Sequence, residues 1–325
     1  VTHLPAEFVT DAGGVYEPIH VGRNAMLEAS KDGPLALRHD MGSCLQLRGD
    51  DSGENISSLN RYLNELTAHY WAWKNYDDVD SDFVGFCHYR RYFVFDELVK
   101  APVRKWLPQS DYYKVDFVNP DAARLASAAA LNELLRSHDL LVPKPYDTNL
   151  LNGKTGGCRD RYTDMGYPGA LYDQTVAQVL RLHPEFATEV EQHRMSARHF
   201  MGNMFVMRRE HFFRYSEFMF PLLFDAVKWM QTRERDEPGM SPWMRRAPAL
   251  LADVLTSLFL ANLIRKEPHL RVKMLNVAYV VVARRGVTAS TARNYATTVG
   301  LKALASHGVV TVTMGLLGRD ANKRI

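Results

Sequence analysis

A short apolar run that ends abruptly in charged residues constrains the fold of this chain more than any other feature. Residues 83–94 read FVGFCHYRRYFV, and Phe83 to Cys87 is almost entirely apolar and rich in strand formers. Such a run predicts a strand buried on both faces. The sequence turns polar at His88, directly after the carboxyl end of that strand. Open α/β sheets bind ligands at this edge, so the cluster lies where a ligand is expected.

Apolar runs and helical patterns alternate along the rest of the chain. Further strands are predicted at 138–143, 203–207 and 273–283, with helices between them. This alternation favours an α/β fold with a mainly parallel sheet flanked by helices. The clearest helix has an apolar stripe at three- and four-residue steps, formed by Leu59, Tyr62, Leu63, Leu66, Tyr70 and Trp73.

Length and charge limit the function classes. The 325 residues suit one α/β domain with helical additions. We expect a single domain with two halves (1–145 and 146–290) and a C-terminal extension (291–325). The 40 Lys and Arg against 37 Asp and Glu give a net charge of +3, which does not predict nucleic-acid binding but allows a local basic site for an anion.

Cysteine use and hydropathy indicate a cytoplasmic protein. The chain has 3 cysteines, Cys44, Cys87 and Cys158, too few for a disulfide scaffold and without zinc-ligand spacing. Its most apolar stretch, residues 247–264, contains Pro248 and Asp253. That stretch is therefore predicted to be a buried helix rather than a membrane span.

The strongest candidate for chemistry is His88-Tyr89-Arg90-Arg91. Arginine is planar, always charged and matched to phosphate oxygens, so this cluster suits a diphosphate. Neighbouring strand residues point to opposite faces, so one of the two arginines reaches a given ligand unless the chain turns there. An ordinary ion-pair cluster at a strand end is the alternative.

Other candidate residues lie outside that cluster. Asp253 is a carboxylate in an apolar helix, where a charge is costly unless it is paired or lines a cavity. A cleft acid can act as a general base, whereas a structural N–H or Arg partner is the alternative. Glu65 is a candidate for orienting His88 or an arginine. Asn203, at the start of a buried strand, is a candidate for reading sugar hydroxyls.

Two loops remain to be interpreted. Asn55, in the loop 50–57, lies before a helix and is expected either to contact a nucleotide or to cap that helix. The acidic run Asp77, Asp78, Asp80 and Asp82 contains D-x-D patterns. It precedes a strand rather than following one, so a solvated loop is favoured over a metal site.

Three blocks of sequence carry a family resemblance. They are ENISSLNRYLNELTAHYWAWKN, DFVGFCHYRRYF and GNMFVMRREHFFRYSEFMFPLLF. In this order they resemble a bacterial family of capsular and exopolysaccharide biosynthesis proteins long described only as a domain of unknown function. The resemblance covers about residues 1–263. One departure is Val254, where relatives carry an arginine beside the acid that Asp253 retains.

The resemblance implies a glycosyltransferase with a GT-A-like nucleotide-sugar-binding fold. The implied donor is a nucleotide-activated sugar, with a UDP-hexose in pyranose or furanose form favoured. The implied acceptor is a growing glycan, often lipid-linked at the cytoplasmic membrane face, which allows peripheral membrane association. No metal ligand is predicted, and dependence on a divalent ion stays open.

These observations together predict a glycosyltransferase of bacterial surface glycans. The alternatives are a non-catalytic nucleotide-sugar or glycan-binding module and, less favoured, another nucleotide-dependent transferase such as a phosphotransferase. The expected catalytic residues are Asp253, Glu65 and His88. The expected nucleotide-binding residues are Asn55, Lys74, His88, Tyr89, Arg90, Arg91 and Asn203.

Overall fold

A computed structural model describes most of the chain between residues 15 and 281. The described residues are 15–25, 29–30, 33–34, 48–76, 81–88, 91–96, 104–105, 112–116, 127–147, 156–196, 198–200 and 202–281. Several sequence predictions lie outside them: the extension 291–325 and residues Cys44, Asp77, Asp78, Asp80, Tyr89 and Arg90.

Two four-stranded sheets carry most of the described strands. The central sheet has the order β13-β9-β12-β5, and the second has the order β6-β14-β8-β7. Short pairs β1-β4, β2-β3 and β10-β11 complete the set. The strands are β1 Ile19–His20, β2 Ala29–Ser30, β3 Gly33–Pro34, β4 Arg48–Gly49, β5 Phe83–Phe86, β6 Arg91–Phe93, β7 Arg104–Lys105, β8 Tyr112–Asp116, β9 Leu140–Pro143, β10 Tyr146–Asp147, β11 Arg198–His199, β12 Phe205–Arg208, β13 Val272–Leu275 and β14 Val277–Val281.

Helices cover both faces of the central sheet. Side chains alternate along β9 and β12, so Leu140, Phe205 and Met207 enter the large core while Leu141 and Val206 enter a smaller one. The large core is built with α2, α7 and α9, and the smaller one with α3. The helices are α1 Asn60–Leu63, α2 Leu66–Lys74, α3 Ala128–Ser137, α4 Cys158–Asp164, α5 Gly169–Leu182, α6 Ala187–Met195, α7 Arg209–Asp236, α8 Pro242–Arg245 and α9 Ala247–Lys266.

The prediction of a mainly parallel sheet was wrong, because the sheets are mixed. β13 runs parallel to β9, but β12 runs antiparallel to both β9 and β5. Apolar composition locates buried strands without fixing their direction, since strands buried in parallel and in mixed sheets both read as continuous apolar runs. β5 is also an edge strand with Gly85 exposed, so it is not buried on both faces as predicted.

The predicted helix over the YLNELTAHYWAWK segment is interrupted. α1 ends at Leu63, and Asn64 adopts a positive φ of 49° before α2 begins at Leu66. The Asn60 side-chain amide donates to the Asn64 carbonyl at 2.7 Å and stabilises this break. The break places Glu65 at the N-terminus of α2 instead of on the side of a continuous helix.

Asp139 ties together three strands of the central sheet at one end. It precedes β9 and accepts hydrogen bonds from Arg208 Nε at 2.9 Å and from Arg271 Nε at 2.8 Å. Arg208 ends β12 and Arg271 precedes β13. The bonds from Arg271 and Arg208 hold the pKa of Asp139 well below its usual range.

We expect Asp139→Asn to lower the thermal unfolding midpoint by about 3–6 °C at pH 7, because charge-assisted bonds are lost. A depressed carboxyl pKa contributes its full stability above the ordinary value near pH 4, and this contribution is lost as the pH falls from there through the depressed value. The gap between the wild-type and variant midpoints should therefore narrow steadily in melts from pH 5 to pH 2. A gap that stays constant over this range would contradict this assignment.

The helical stretch 242–266 is long and apolar enough to cross a bilayer, and 78% of its most apolar window is buried inside the protein. It contains α8 and α9, and α9 packs against α7 in the large core. Core helices of soluble proteins show the same length and composition, so this stretch agrees with the predicted buried helix.

Candidate active site

Asp253 lies in the second turn of α9 and faces the turn that leads into β12. Its Oδ1 accepts hydrogen bonds from the backbone N–H of Gly202 at 2.8 Å and of Asn203 at 3.2 Å. Within the described part of the chain, both of its hydrogen bonds fall on Oδ1. The side chain is partly exposed, so Oδ2 is the oxygen that can meet a ligand.

The turn at Gly202 and Asn203 is built from two residues with left-handed backbone angles. Gly202 has φ of 82° and Asn203 has φ of 50°. Asparagine tolerates this region better than most residues but still at a cost. The conformation directs two successive N–H groups at one carboxylate oxygen, which is an anion-binding backbone arrangement. Here the anion is the protein's own Asp253.

Asn203 joins Asp253 to the second acid of the site. Its buried side-chain amide donates to Glu65 Oε1 at 3.0 Å. Its Oδ1 accepts from Thr256 Oγ1 at 3.2 Å, and Thr256 lies 3.0 Å from the Tyr215 hydroxyl. Because Thr256 donates to Asn203, Tyr215 donates to Thr256. The chain of bonds fixes the orientation of Asn203 and, through it, of Glu65.

Arg91 brings positive charge to Asp253. A Cβ added at Gly202 would lie 3.4 Å from Arg91 Nη1, so the guanidinium packs against this glycine. The chain turns between His88 and Arg91, which exchange backbone hydrogen bonds at 3.2 and 2.8 Å. The sequence predicted that only one of Arg90 and Arg91 reaches a given ligand unless the chain turns at this point. Tyr89 and Arg90 lie outside the described residues.

The electrostatic balance at Asp253 favours proton uptake near neutral pH. Burial and the nearby charge of Glu65 raise the pKa of Asp253 to about 7. The Gly202 and Asn203 N–H groups and Arg91 act in the opposite direction. A carboxyl group with a pKa near the working pH is suited to accepting and releasing a proton.

Asn55 and Lys74 belong to a second group of residues, at the loop 50–57: Asn55 lies on this loop and Lys74 ends α2 beside it. Asn55 Nδ2 donates to the carbonyls of Asp51 and Gly53 at 3.0 Å, and its Oδ1 accepts from Ser57 N at 3.2 Å. The amide thus fixes the loop, but it does not cap a helix: the caps of the helical turn 57–59 and of α1 are Ile56 and Leu59, without a side-chain hydrogen bond. The loop follows the carboxyl end of β4, which pairs in parallel with β1.

Lys74 also contacts this loop. Its ammonium lies 3.6 Å from Glu54 Oε1 and 3.9 Å from the centre of the Trp73 ring. Lys74 and Glu65 are at opposite ends of α2, roughly 13 Å apart along the helix axis. The structure therefore brings together Asp253, Glu65, Asn203 and Arg91, with His88 joined to Arg91 through the backbone. It leaves Asn55 and Lys74 in a separate group.

The described residues contain no group of three or more His, Cys, Asp or Glu side chains that could hold a metal ion. Asp82 is the one member of the acidic run among them, and its carbonyl accepts a hydrogen bond from Arg209 N at 2.9 Å. Burial raises the pKa of the Cys87 thiol to about 11. Cys87 is thus protonated at neutral pH, as a structural thiol is.

Sequence reasoning missed an aromatic pair next to this site. Tyr167 stacks on Trp243 with ring centroids 5.5 Å apart, and both lie in segments interpreted as loops. Trp243 belongs to α8, which begins with Ser241 as its cap and Pro242 at its first position. A serine–proline start of this kind is a helix signal that the sequence contains.

A surface groove of about 790 Å³ lies elsewhere, between α5 and α7. It contains none of the predicted site residues. Its lining is mostly polar and charged, and includes Gln174, Gln178, Arg181, Lys228, Trp229 and Arg233.

Comparisons with known proteins agree with a glycosyltransferase-like fold. The profile of a family described as a domain of unknown function (DUF4422) matches residues 1–263. The structure is similar to an apo structure of WbbM, a bifunctional glycosyltransferase, with a TM-score of 0.68 and 25% sequence identity. The match covers 89% of this chain and 46% of that chain, so the present chain spans about half the length of WbbM. A comparison with curated proteins gave no match.

Proposed function

Because the chain belongs to the DUF4422 family, whose description assigns no activity, we propose from its site that it is a nucleotide-sugar-dependent glycosyltransferase. The observation that carries the proposal is the environment of Asp253. This acid is partly exposed, its pKa is raised and its Oδ2 is open, and the Arg91 guanidinium lies beside it. An acid that can take a proton and a cation that can stabilise a departing phosphate are the two groups that sugar transfer requires. The likeness to WbbM supports the same class.

The proposed reaction transfers a sugar in one displacement. An acceptor hydroxyl oxygen bonds to the anomeric carbon of the donor while its proton passes to Asp253. The bond from the anomeric carbon to the phosphate oxygen breaks, and the nucleoside diphosphate leaves with the electron pair. In this proposal Arg91 and His88 stabilise the growing negative charge on that phosphate.

Glu65 and Asn203 have a positioning role in this proposal. Glu65 raises the pKa of Asp253 through its charge, and Asn203 holds the two acids in fixed relation. The free oxygen of a carboxylate such as Glu65 can also accept from a sugar hydroxyl. Asn55, in the loop at the carboxyl ends of β1 and β4, and Lys74, at the end of α2 beside that loop, are proposed to hold the nucleotide.

The substrates are proposed by class. A UDP-hexose, in pyranose or furanose form, is the favoured donor, and a growing bacterial surface glycan is the acceptor. A lipid-linked acceptor would bring the protein to the inner face of the cytoplasmic membrane as a peripheral protein. The GT-A-like form of the fold and the division into a nucleotide half (1–145) and an acceptor half (146–290) remain part of this proposal.

The second candidate function is a non-catalytic module that binds a nucleotide sugar. The two backbone N–H bonds to Asp253 favour it, because they give this acid a structural partner without any reaction. Such a protein would bind the donor in the same site and release no nucleotide.

A donor panel separates the two candidates. The full chain is incubated with UDP-, GDP- and dTDP-sugars, with and without Mg²⁺ or Mn²⁺, and the released nucleoside diphosphate is measured. Donor binding is measured separately by calorimetry. Transfer or slow hydrolysis of one donor supports the enzyme. Binding without nucleotide release, in the presence of octyl glycoside acceptors and either metal, supports the module. Absence of both binding and release contradicts both.

A further inference from the structure

The stacked aromatic pair near Asp253 has no assigned role in the reaction. Trp243 is 43% exposed, which is unusual for a ring that is also held in place on two sides. One face stacks on Tyr167 at an interplanar angle of 24°, and its Nε1 donates to the Met165 carbonyl at 3.1 Å. The ring is therefore fixed in orientation while a large part of its surface stays open to solvent.

Tyr167 links this ring to the reaction centre. The tyrosine packs on Tyr162 with ring centroids 5.2 Å apart, and the Tyr162 hydroxyl donates to the carbonyl of Ala247, the first residue of α9, at 3.1 Å. Asp253 is six residues further along the same helix, about 9 Å along its axis. Burial raises the pKa of Tyr167, and the Asp253 charge adds to this effect while Arg246 and Arg161 oppose it.

Two further observations point to a ligand at this position. The Tyr167 side chain is 3% exposed, and its hydroxyl has no hydrogen-bond partner among the described residues. A buried hydroxyl without a partner is costly, so a partner from outside the protein would be favourable. The neighbouring Gly166 has φ of 86°, and a Cβ built there meets no described atom within 4 Å. The space beside the aromatic pair is open.

We infer that Trp243, supported by Tyr167, is the platform on which the acceptor glycan rests its terminal sugar. The C–H face of a sugar ring is apolar and stacks on an aromatic ring, while its hydroxyls need donors and acceptors at the edge. This inference rests on the proposed glycosyltransferase function and adds residues that determine acceptor specificity.

Acceptor kinetics with Trp243→Leu and Trp243→Phe test the platform. Leucine keeps an apolar side chain and loses the aromatic face, whereas phenylalanine keeps the face and loses the bond to Met165. We expect Trp243→Leu to raise the KM for an octyl glycoside acceptor about 10-fold, the ratio that ~1.4 kcal/mol gives. Phenylalanine should stay within about 3-fold, and kcat and the donor KM should be unchanged.

The control is Met195→Ala, which removes an apolar side chain that is 81% exposed on α6. Equal acceptor KM values for wild type, Trp243→Phe and Trp243→Leu would overturn the platform. So would a loss of acceptor-independent donor hydrolysis in Trp243→Leu, since that reaction does not use the acceptor.

A second readout does not depend on turnover. Octyl β-glucoside, β-galactoside and α-mannoside are titrated into the wild-type and Trp243→Phe proteins without donor, and tryptophan fluorescence is recorded. Saturable quenching that disappears in Trp243→Phe supports the platform, whether or not a donor is turned over. If quenching is seen but no donor is turned over, the proposed transferase activity is refuted and the platform is not. No quenching of the wild-type protein by any of the three glycosides refutes the platform.

Discussion

Replacing Asp253 with asparagine is expected to lower kcat for sugar transfer by about 10²- to 10⁴-fold, the usual contribution of a general base. Asparagine has nearly the same shape as aspartate, and its carbonyl oxygen can still accept the N–H groups of Gly202 and Asn203. The variant thus retains the hydrogen bonds that hold α9 against the turn and loses the group that takes the proton. Donor binding should change little.

The stability of this variant provides an internal control. The raised pKa of Asp253, about 7, means that the folded protein holds this proton more tightly than the unfolded chain does. Stability contributed by the neutral form is full at pH 4 and is lost as the pH rises through 7. An uncharged asparagine avoids this loss, so Asp253→Asn should melt at or above the wild-type midpoint at pH 8.

The measurement is single-turnover and steady-state transfer for the wild type, Asp253→Asn and Glu217→Gln. Glu217 is an exposed carboxylate on α7 outside the site, so its variant controls for removal of a negative charge. The wild-type log kcat should rise with pH up to about 7, where Asp253 becomes deprotonated. A kcat for Asp253→Asn within threefold of the wild type would rule out the base and favour a structural role for this acid.

Asp253 could be predicted from sequence because a carboxylate is rare within an apolar helical stretch. The contacts that define it were not predictable from sequence, because they depend on a turn 50 residues away in which Asn203 has a positive φ. Glu65 is the opposite case. Helical periodicity places it on the side of a continuous helix, and only the break at Asn64 brings it to Asn203.

Part of the fold was also predictable from the sequence, and part was not. The strand predicted at 138–143 is confirmed as β9, since four successive buried apolar residues leave few other structures. The direction of β12 was not predictable, because it depends on how its neighbours β5 and β9 are arranged across more than 60 residues. The predicted strand 273–283 is divided at Asn276, whose carbonyl accepts from Val94 N at 2.9 Å where the chain passes between sheets.

Removing the Arg91 side chain is expected to lower kcat/KM for the donor by about 10²- to 10³-fold, the effect typical of losing one group that stabilises transition-state charge. The reason is local, since the guanidinium packs against Gly202 beside Asp253, where the departing phosphate is proposed to lie. Arg91→Lys keeps the charge but loses the planar fork that matches phosphate oxygens, so it should restore the rate only in part.

The pH profile distinguishes this role from a general effect on folding. Arg91 lowers the pKa of Asp253, so its removal should shift the acid limb of the kcat profile to higher pH. Arg136→Ala is the matched control, because it removes an exposed arginine that pairs with Glu133 on α3. If Arg91→Ala has the same donor kinetics as Arg136→Ala and the acid limb does not shift, Arg91 does not act in the site. Another cation would then have to stabilise the diphosphate.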